Sequence, residues 1–197
     1  RVLECVPDFI RSLREEASKL WRLRGRRNIV NLVDYNLDCE RPFIVMELAE
    51  GNLAELATRP MDAWLAAAIV REIASAVADS HAQGIIHRDI KPENILVQGS
   101  RYLLADYGLA KGMASVKLTV GGVGTLGYLA PEQMAGRYSA ASDVYGLGAT
   151  LYRLLTGQDP PIHPDLDPRQ VVPSCPAVIA TLARQMTAAK PENRPTV

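Results

Sequence analysis

His87-Arg88-Asp89-Ile90-Lys91-Pro92-Glu93-Asn94, followed by Asp106-Tyr107-Gly108, is the stretch on which the reading of this chain turns. Asp89, Lys91 and Asn94 form a carboxylate–cation–amide set, and Asp106 adds a second carboxylate a short element later. Such a set suits phosphoryl transfer. A hydroxyl nucleophile must be oriented and needs a proton acceptor late in the reaction; an aspartate on a rigid loop serves, so Asp89 reads as the catalytic base. Negative charge on the group in transit is stabilised by a nearby cation, which suits Lys91. Magnesium prefers hard oxygen ligands, so Asn94 and Asp106 read as its ligands. Tyr102-Leu103-Leu104-Ala105 reads as a short buried strand that delivers Asp106, and Gly108 allows a sharp turn after it. Any one of these polar residues alone would be an ordinary loop residue. The ordered set is what carries the signal.

Around this stretch the chain is ordinary for a globular protein. It has 197 residues, enough for a sizeable core, and 48% of them are hydrophobic. Cationic and anionic residues balance at 22 each, so no charge footprint calls for nucleic acid or a membrane surface. Arg22, Arg24, Arg26 and Arg27 make the one basic run, read here as a solvated helix end and loop rather than a site for a phosphorylated partner. Cys5, Cys39 and Cys175 are scattered, without a C-x-x-C pair. That argues for a reducing compartment, and against a disulfide scaffold or a zinc site. No run approaches the ~20 apolar residues of a membrane span and no signal peptide opens the chain, so the expected location is cytoplasmic. An anchor elsewhere in a longer protein stays open.

Apolar spacing predicts a helix over 9–23, strands over 29–33 and 42–47, a break at Gly51-Asn52 and a short helix over 53–56. A long Ala-rich helix is predicted over 62–81, closed by Gly84. Strands at 94–97 and 101–105 turn at Gly99-Ser100. Lys111–Gly127 has no period and reads as a mobile loop. Helices over 139–155, with Ser142 or Asp143 near its N-cap and Gly157 as its stop, and over 177–188 flank a proline-rich loop, 159–173. One helix and a few strands followed mostly by helices is an α+β order with two unequal lobes.

These motifs resemble the eukaryotic-type (Hanks-type) protein kinase family over essentially the whole chain. His87–Asn94 with Asp106-Tyr107-Gly108 is similar to its H-R-D-x-K-x-x-N and D-[F/Y]-G signatures. Gly124–Glu132 resembles G-T-x-x-Y-x-A-P-E, Ser142–Gly148 resembles S-D-V-[W/Y]-S-L-G, and Lys190–Thr196 resembles D-P-x-x-R-P-[S/T]. The resemblance implies a bilobal α+β kinase fold, with a partial small lobe at 1–48 and a helical large lobe at 49–197 that contains an activation loop at 106–132. It implies ATP and Mg2+ as cofactors and a protein substrate. Asp89, Lys91 and Asn94 would be catalytic, with Asn94 and Asp106 on metal and Lys91 and Asp106 also facing the nucleotide. Met46 would be the gatekeeper, Glu47 and Ala49 would offer backbone groups to adenine, Asn52 would reach the ribose, and Leu96 would floor the base. Glu16, with Glu15 as rival, matches the glutamate of the helix the family calls αC. Leu20, Leu32, His87 and Tyr107 would stack into a hydrophobic column tied to Asp143. Arg194 would pair with Glu132.

Lys91 and Thr125 favour serine or threonine acceptors. Arg88 beside Asp89 goes with a phosphorylated activation loop; Thr119 is the preferred phosphosite and Ser115 the second, while Thr125 positions substrate. A-P-E-Q, S-D-V-Y-G-L-G and L-L-T-G point to bacterial-type members. There are also departures. The chain opens immediately before the αC match, with neither a glycine-rich loop nor a V-A-x-K strand in view, as an N-terminally truncated member would. These residues alone are therefore expected to transfer poorly. Tyr107 stands where phenylalanine is usual, and its hydroxyl needs a partner. The loop from Arg24 to Asn28 is one residue longer than the family's usual length, and the compressed region after Gly157 implies a short or absent docking helix. Two alternatives remain: a pseudokinase or regulatory module without the nucleotide-clamping strands, and a small-molecule phosphotransferase of similar fold. Lys91, Thr125 and Ala130-Pro131-Glu132 speak against the second.

Overall fold

The computed structural model describes residues 6–107 and 126–197, with side chains from residue 10. Helix α1 (Val6–Arg22) opens it and ends in a turn at Gly25. Strands β1 (Leu32–Asn36) and β2 (Phe43–Met46) pair antiparallel, with an irregularity between Leu32 and Asp34. Strand β1 lies three residues beyond the expected 29–33. Ile29 and Val30 are instead buried beside the later strand β5 (Arg101–Leu104), where the Val30 amide donates to the Leu104 carbonyl at 3.0 Å. Apolarity marked the buried residues, while the paired ones are mostly exposed and tolerate Asp34 and Asn36.

Gly51-Asn52 is more than a break: it forms a short strand, β3, that pairs with β4 (Ile95–Gln98), and β4 pairs in turn with β5. Asn52 then caps the single-turn helix α2 (Leu53–Leu56). Helix α3 (Ala63–Ala82) starts where the Asp62 carboxylate accepts from the amides of Trp64 and Leu65. Its buried positions 66, 69, 70, 73, 76, 77 and 80 form one stripe against the core.

Helix α4 (Pro131–Met134) precedes the central helix α5 (Ala140–Thr156). Its N-cap is Ser139, and Ser142 completes the cap as expected: the Ser139 amide donates to Ser142 Oγ at 3.1 Å, while the Asp143 carboxylate faces another loop. Buried almost all round, α5 packs against α3 and against α6 (Ala177–Met186). Gly157 stops it in the left-handed region, φ 69°. Between α5 and α6 no α-helix forms, only a 3-10 turn at Pro168–Gln170. Gly146 matters for the site: a Cβ there would stand 2.8 Å from the Ile90 carbonyl, so only glycine lets the catalytic loop rest on α5.

The basic run is exposed, as a solvated helix end and loop would be, and three of its arginines still make local contacts. Arg22 donates to the Gln83 carbonyl, Arg26 lies 3.3 Å from Asp79, and Arg24 stacks over Trp21. Among the described residues no helix is long and apolar enough to cross a membrane.

Candidate active site

Asp89, Lys91 and Asn94 converge within one loop. Lys91 Nζ lies 3.1 Å from Asp89 Oδ2, and Asn94 Nδ2 donates to both the Asp89 carbonyl (2.7 Å) and Oδ2 (3.0 Å). A 3-10 turn over Pro92–Asn94 folds Asn94 back toward Asp89, with the Asn94 amide bonded to the Lys91 carbonyl. The Ala105 amide then donates to the Asn94 carbonyl at 2.9 Å, which sets Asp106 beside the loop as β5 ends. With its Nδ2 turned to Asp89, the Asn94 amide has its oxygen on the opposite side. An amide oxygen and the Asp106 carboxylate are the hard donors magnesium takes, usually with few protein ligands and several from phosphate and water.

Two residues here, Arg88 (φ 76°) and Asp106 (φ 62°), hold left-handed backbone although neither is glycine. Such conformations cost energy and persist only when the surroundings over-determine them. For Arg88 the restraints are explicit. Asp143, buried on α5, accepts from the amides of His87 (2.9 Å) and Arg88 (2.8 Å), and the Arg88 carbonyl accepts from Gln133 Nε2 at 2.8 Å. Gln133 Oε1 meanwhile accepts from the Ala130 amide, so one buried side chain ties α4 to the catalytic loop. His81 Nε2 adds a third bond to Asp143, at 2.7 Å. The Arg88 guanidinium rests on the Tyr138 ring.

Leu20, Leu32, His87 and Tyr107 are all buried, and the His87 and Tyr107 rings meet edge-on with centroids 4.7 Å apart. His87 Nε2 donates to the Ala105 carbonyl. The Tyr107 hydroxyl has its partner in Ser80 Oγ, 2.9 Å away on α3. Glu16 is half-buried and Glu15 exposed. Burial first, and the Asp106 charge second, push the Glu16 carboxyl above its ordinary range.

Arg194 meets Glu132 through two parallel bonds, 2.6 and 2.9 Å, and Ser142 Oγ donates to the same carboxylate. Burial alone would raise the Glu132 carboxyl, but Arg194, its own backbone amide and Ser142 outweigh it and hold it below the ordinary range. Arg194 also donates to the carbonyls of Ala188, Ala141 and Ala189 and lies over the Tyr145 ring. Met46 and Glu47 lie where β2 runs into the connecting segment. The Glu47 amide donates to the Asn31 carbonyl, and Glu47 Oε1 accepts from the Asn31 amide at 2.7 Å. Ala49 follows, half-buried, and Leu96 pairs with Asn52 across β3 and β4. Both polar atoms of Asn52 are engaged: Oδ1 caps α2 and Nδ2 donates to Glu55. To reach a ribose, Asn52 would have to release that cap. Thr125, Thr119 and Ser115 lie outside the described residues.

Residues 4–197 match the family model described as "Protein kinase domain". The chain belongs to the protein kinase family. Its kinase domain is 41% identical over 159 residues to serine/threonine-protein kinase PknL of Mycobacterium tuberculosis, covering 77% of this chain and 40% of that protein. It is 31% identical over 215 residues to Pkn1 of Myxococcus xanthus, covering 98% and 31%, and 38% identical over 160 residues to PrkC of Bacillus subtilis, covering 78% and 24%. The chain thus spans two fifths or less of these kinases. Kinases of this family generally use ATP and Mg2+.

Motif reading missed four side chains that hold the candidate site together: Lys19, Ser80, His81 and Gln133. Lys19 donates to the Tyr107 carbonyl at 2.7 Å. Ser80 had a legible signal, as a small hydroxyl on the buried stripe of α3, facing the tyrosine whose hydroxyl lacked a partner. Gln133 had none, because both its bonds go to backbone.

Proposed function

We propose that the protein is a protein kinase that transfers the γ-phosphoryl group of ATP to serine or threonine side chains of a protein substrate, with magnesium. The observation that carries this reading is the Asp89–Lys91–Asn94 cluster, joined through the Asn94–Ala105 backbone bond to Asp106. Bound Mg-ATP supplies the phosphoryl group and neutralises charge between the phosphates.

The residues then divide the work. Asp89 orients the acceptor hydroxyl and takes its proton, while Lys91 keeps a positive charge next to the carboxylate and the group in transit. Asn94 anchors Asp89 through Nδ2 and presents its oxygen to the metal, and Asp106 is the metal's carboxylate ligand. Met46, Glu47, Ala49 and Leu96 border the adenine side, and Asn52 stays with α2 unless nucleotide displaces it. Glu16 faces the site from α1, the Leu20–Leu32–His87–Tyr107 column aligns the two parts, and the Glu132–Arg194 pair braces the segment that binds substrate. Thr125 positions substrate, and phosphate on Thr119, or else Ser115, would pair with Arg88. The lobes divide at residue 48, and the site works on the cytoplasmic side, where ATP is available.

The test uses the full-length protein with magnesium and γ-labelled ATP, offered peptides bearing serine, threonine or tyrosine and, separately, aminoglycosides. Label on serine and threonine is expected. Label on a small molecule alone, or none anywhere, would favour one of the other two readings.

A further inference from the structure

Helix α1 touches the rest of the molecule through apolar residues and through a stripe of cations. Lys19 and Arg22, three apart on α1, project along one side of the helix, and Arg26 follows just past the turn at Gly25. Arg22 reaches the Gln83 carbonyl and Arg26 reaches Asp79, both at the end of α3. Lys19 reaches somewhere different: its ammonium donates to the carbonyl of Tyr107, 88 residues away in sequence and directly after Asp106. Tyr107 is thereby gripped from three elements, by Ser80 of α3 at its hydroxyl, His87 of the catalytic loop at its ring, and Lys19 of α1 at its backbone.

We propose that Lys19 is a positioning residue that couples α1 to the Asp106 loop and holds Asp106 in its left-handed conformation. A charge-assisted bond to a half-buried carbonyl is about twice as strong as a neutral one, and it acts on the peptide unit that follows Asp106. Burial, then the nearby Arg88 charge, lower the lysine's proton affinity, while Glu15 and Glu16 raise it. The bond also gives α1 a link to the metal loop through Lys19, in addition to any that Glu16 provides. The catalytic part of this inference rests on the kinase reading above; the structural part does not.

The experiment is hydrogen–deuterium exchange on the full-length, nucleotide-free protein for wild type, Lys19→Met, Lys19→Arg and Arg22→Met, with thermal unfolding and transfer kinetics alongside. In Lys19→Met, exchange over 102–107 should rise about tenfold, with kcat lowered more than KM for ATP is raised. Lys19→Arg should restore both. Arg22→Met should loosen α1 while leaving 102–107 protected. Unchanged exchange over 102–107 in Lys19→Met, or an equal rise in Arg22→Met, would overturn the coupling. If no variant transfers phosphate but the exchange pattern appears, the tether stands and the kinase reading falls.

Discussion

The region around α5 and the small β1–β2 sheet are built on opposite terms. Along α5 nearly every side chain is buried, and two polar residues of its first turn are bonded to neighbouring elements: Asp143 to the catalytic loop, Ser142 to Glu132 of α4. The sheet is two strands deep and leaves Val33 at 57% and Val45 at 42% exposed. Two strands alone are marginal in water, so the sheet depends on α1 and on Leu20, Leu32 and Ile29 beneath it. The lesson is one of division: the large helical part carries its catalytic geometry in its own core, and the smaller part is attached to it by a short apolar column and a few polar ties.

The sharpest way to break that contrast is to attack the buried pair. Arg194→Leu leaves Glu132 charged and without its partner, and removing one member of a buried pair costs about 3–5 kcal/mol. Urea unfolding should show a loss of that size. The same pair predicts an acid limit. Because the folded Glu132 carboxyl sits below its ordinary value of 4.5, its stabilisation is complete above that pH and is lost as the pH falls through the lower, folded value. Glu132→Gln should therefore flatten the acid side of the stability curve, and an unchanged acid limb would show that other carboxylates set it.

A smaller effect is expected where the two regions meet. In Tyr107→Phe the ring still fills the column, and Ser80 keeps its bond to the Ala76 carbonyl, so no buried donor is orphaned. The cost should be about 1 kcal/mol in urea unfolding, with little change in transfer rate. A loss as large as that of Arg194→Leu would mean the junction, not the α5 core, governs stability.

Much of this was legible in the sequence because the motifs name side chains that meet side chains. Glu132 and Arg194, 62 residues apart, do form a pair, and His87 does stand beside Tyr107. What stayed hidden runs through backbone. Lys19 and Gln133 bind carbonyls and amides, which every residue offers, so no residue type at the far end marks the contact. Strand β1 was displaced for a related reason: hydrophobicity reports burial, and at 29–33 burial and pairing belong to different residues. The start of α5 was legible to within a turn: Ser142 does sit beside the N-cap and accepts from the Ser139 amide, while Asp143 is drawn to the catalytic loop.

The most direct measurement is single-turnover transfer from γ-labelled Mg-ATP to a serine or threonine substrate by full-length wild type and Asp89→Asn, with unfolding curves to show both are intact. With Asp89 as the base, the variant should lose roughly 10²–10⁴-fold in rate while remaining folded. Undiminished transfer by folded Asp89→Asn would contradict the assignment of the cluster as the catalytic centre.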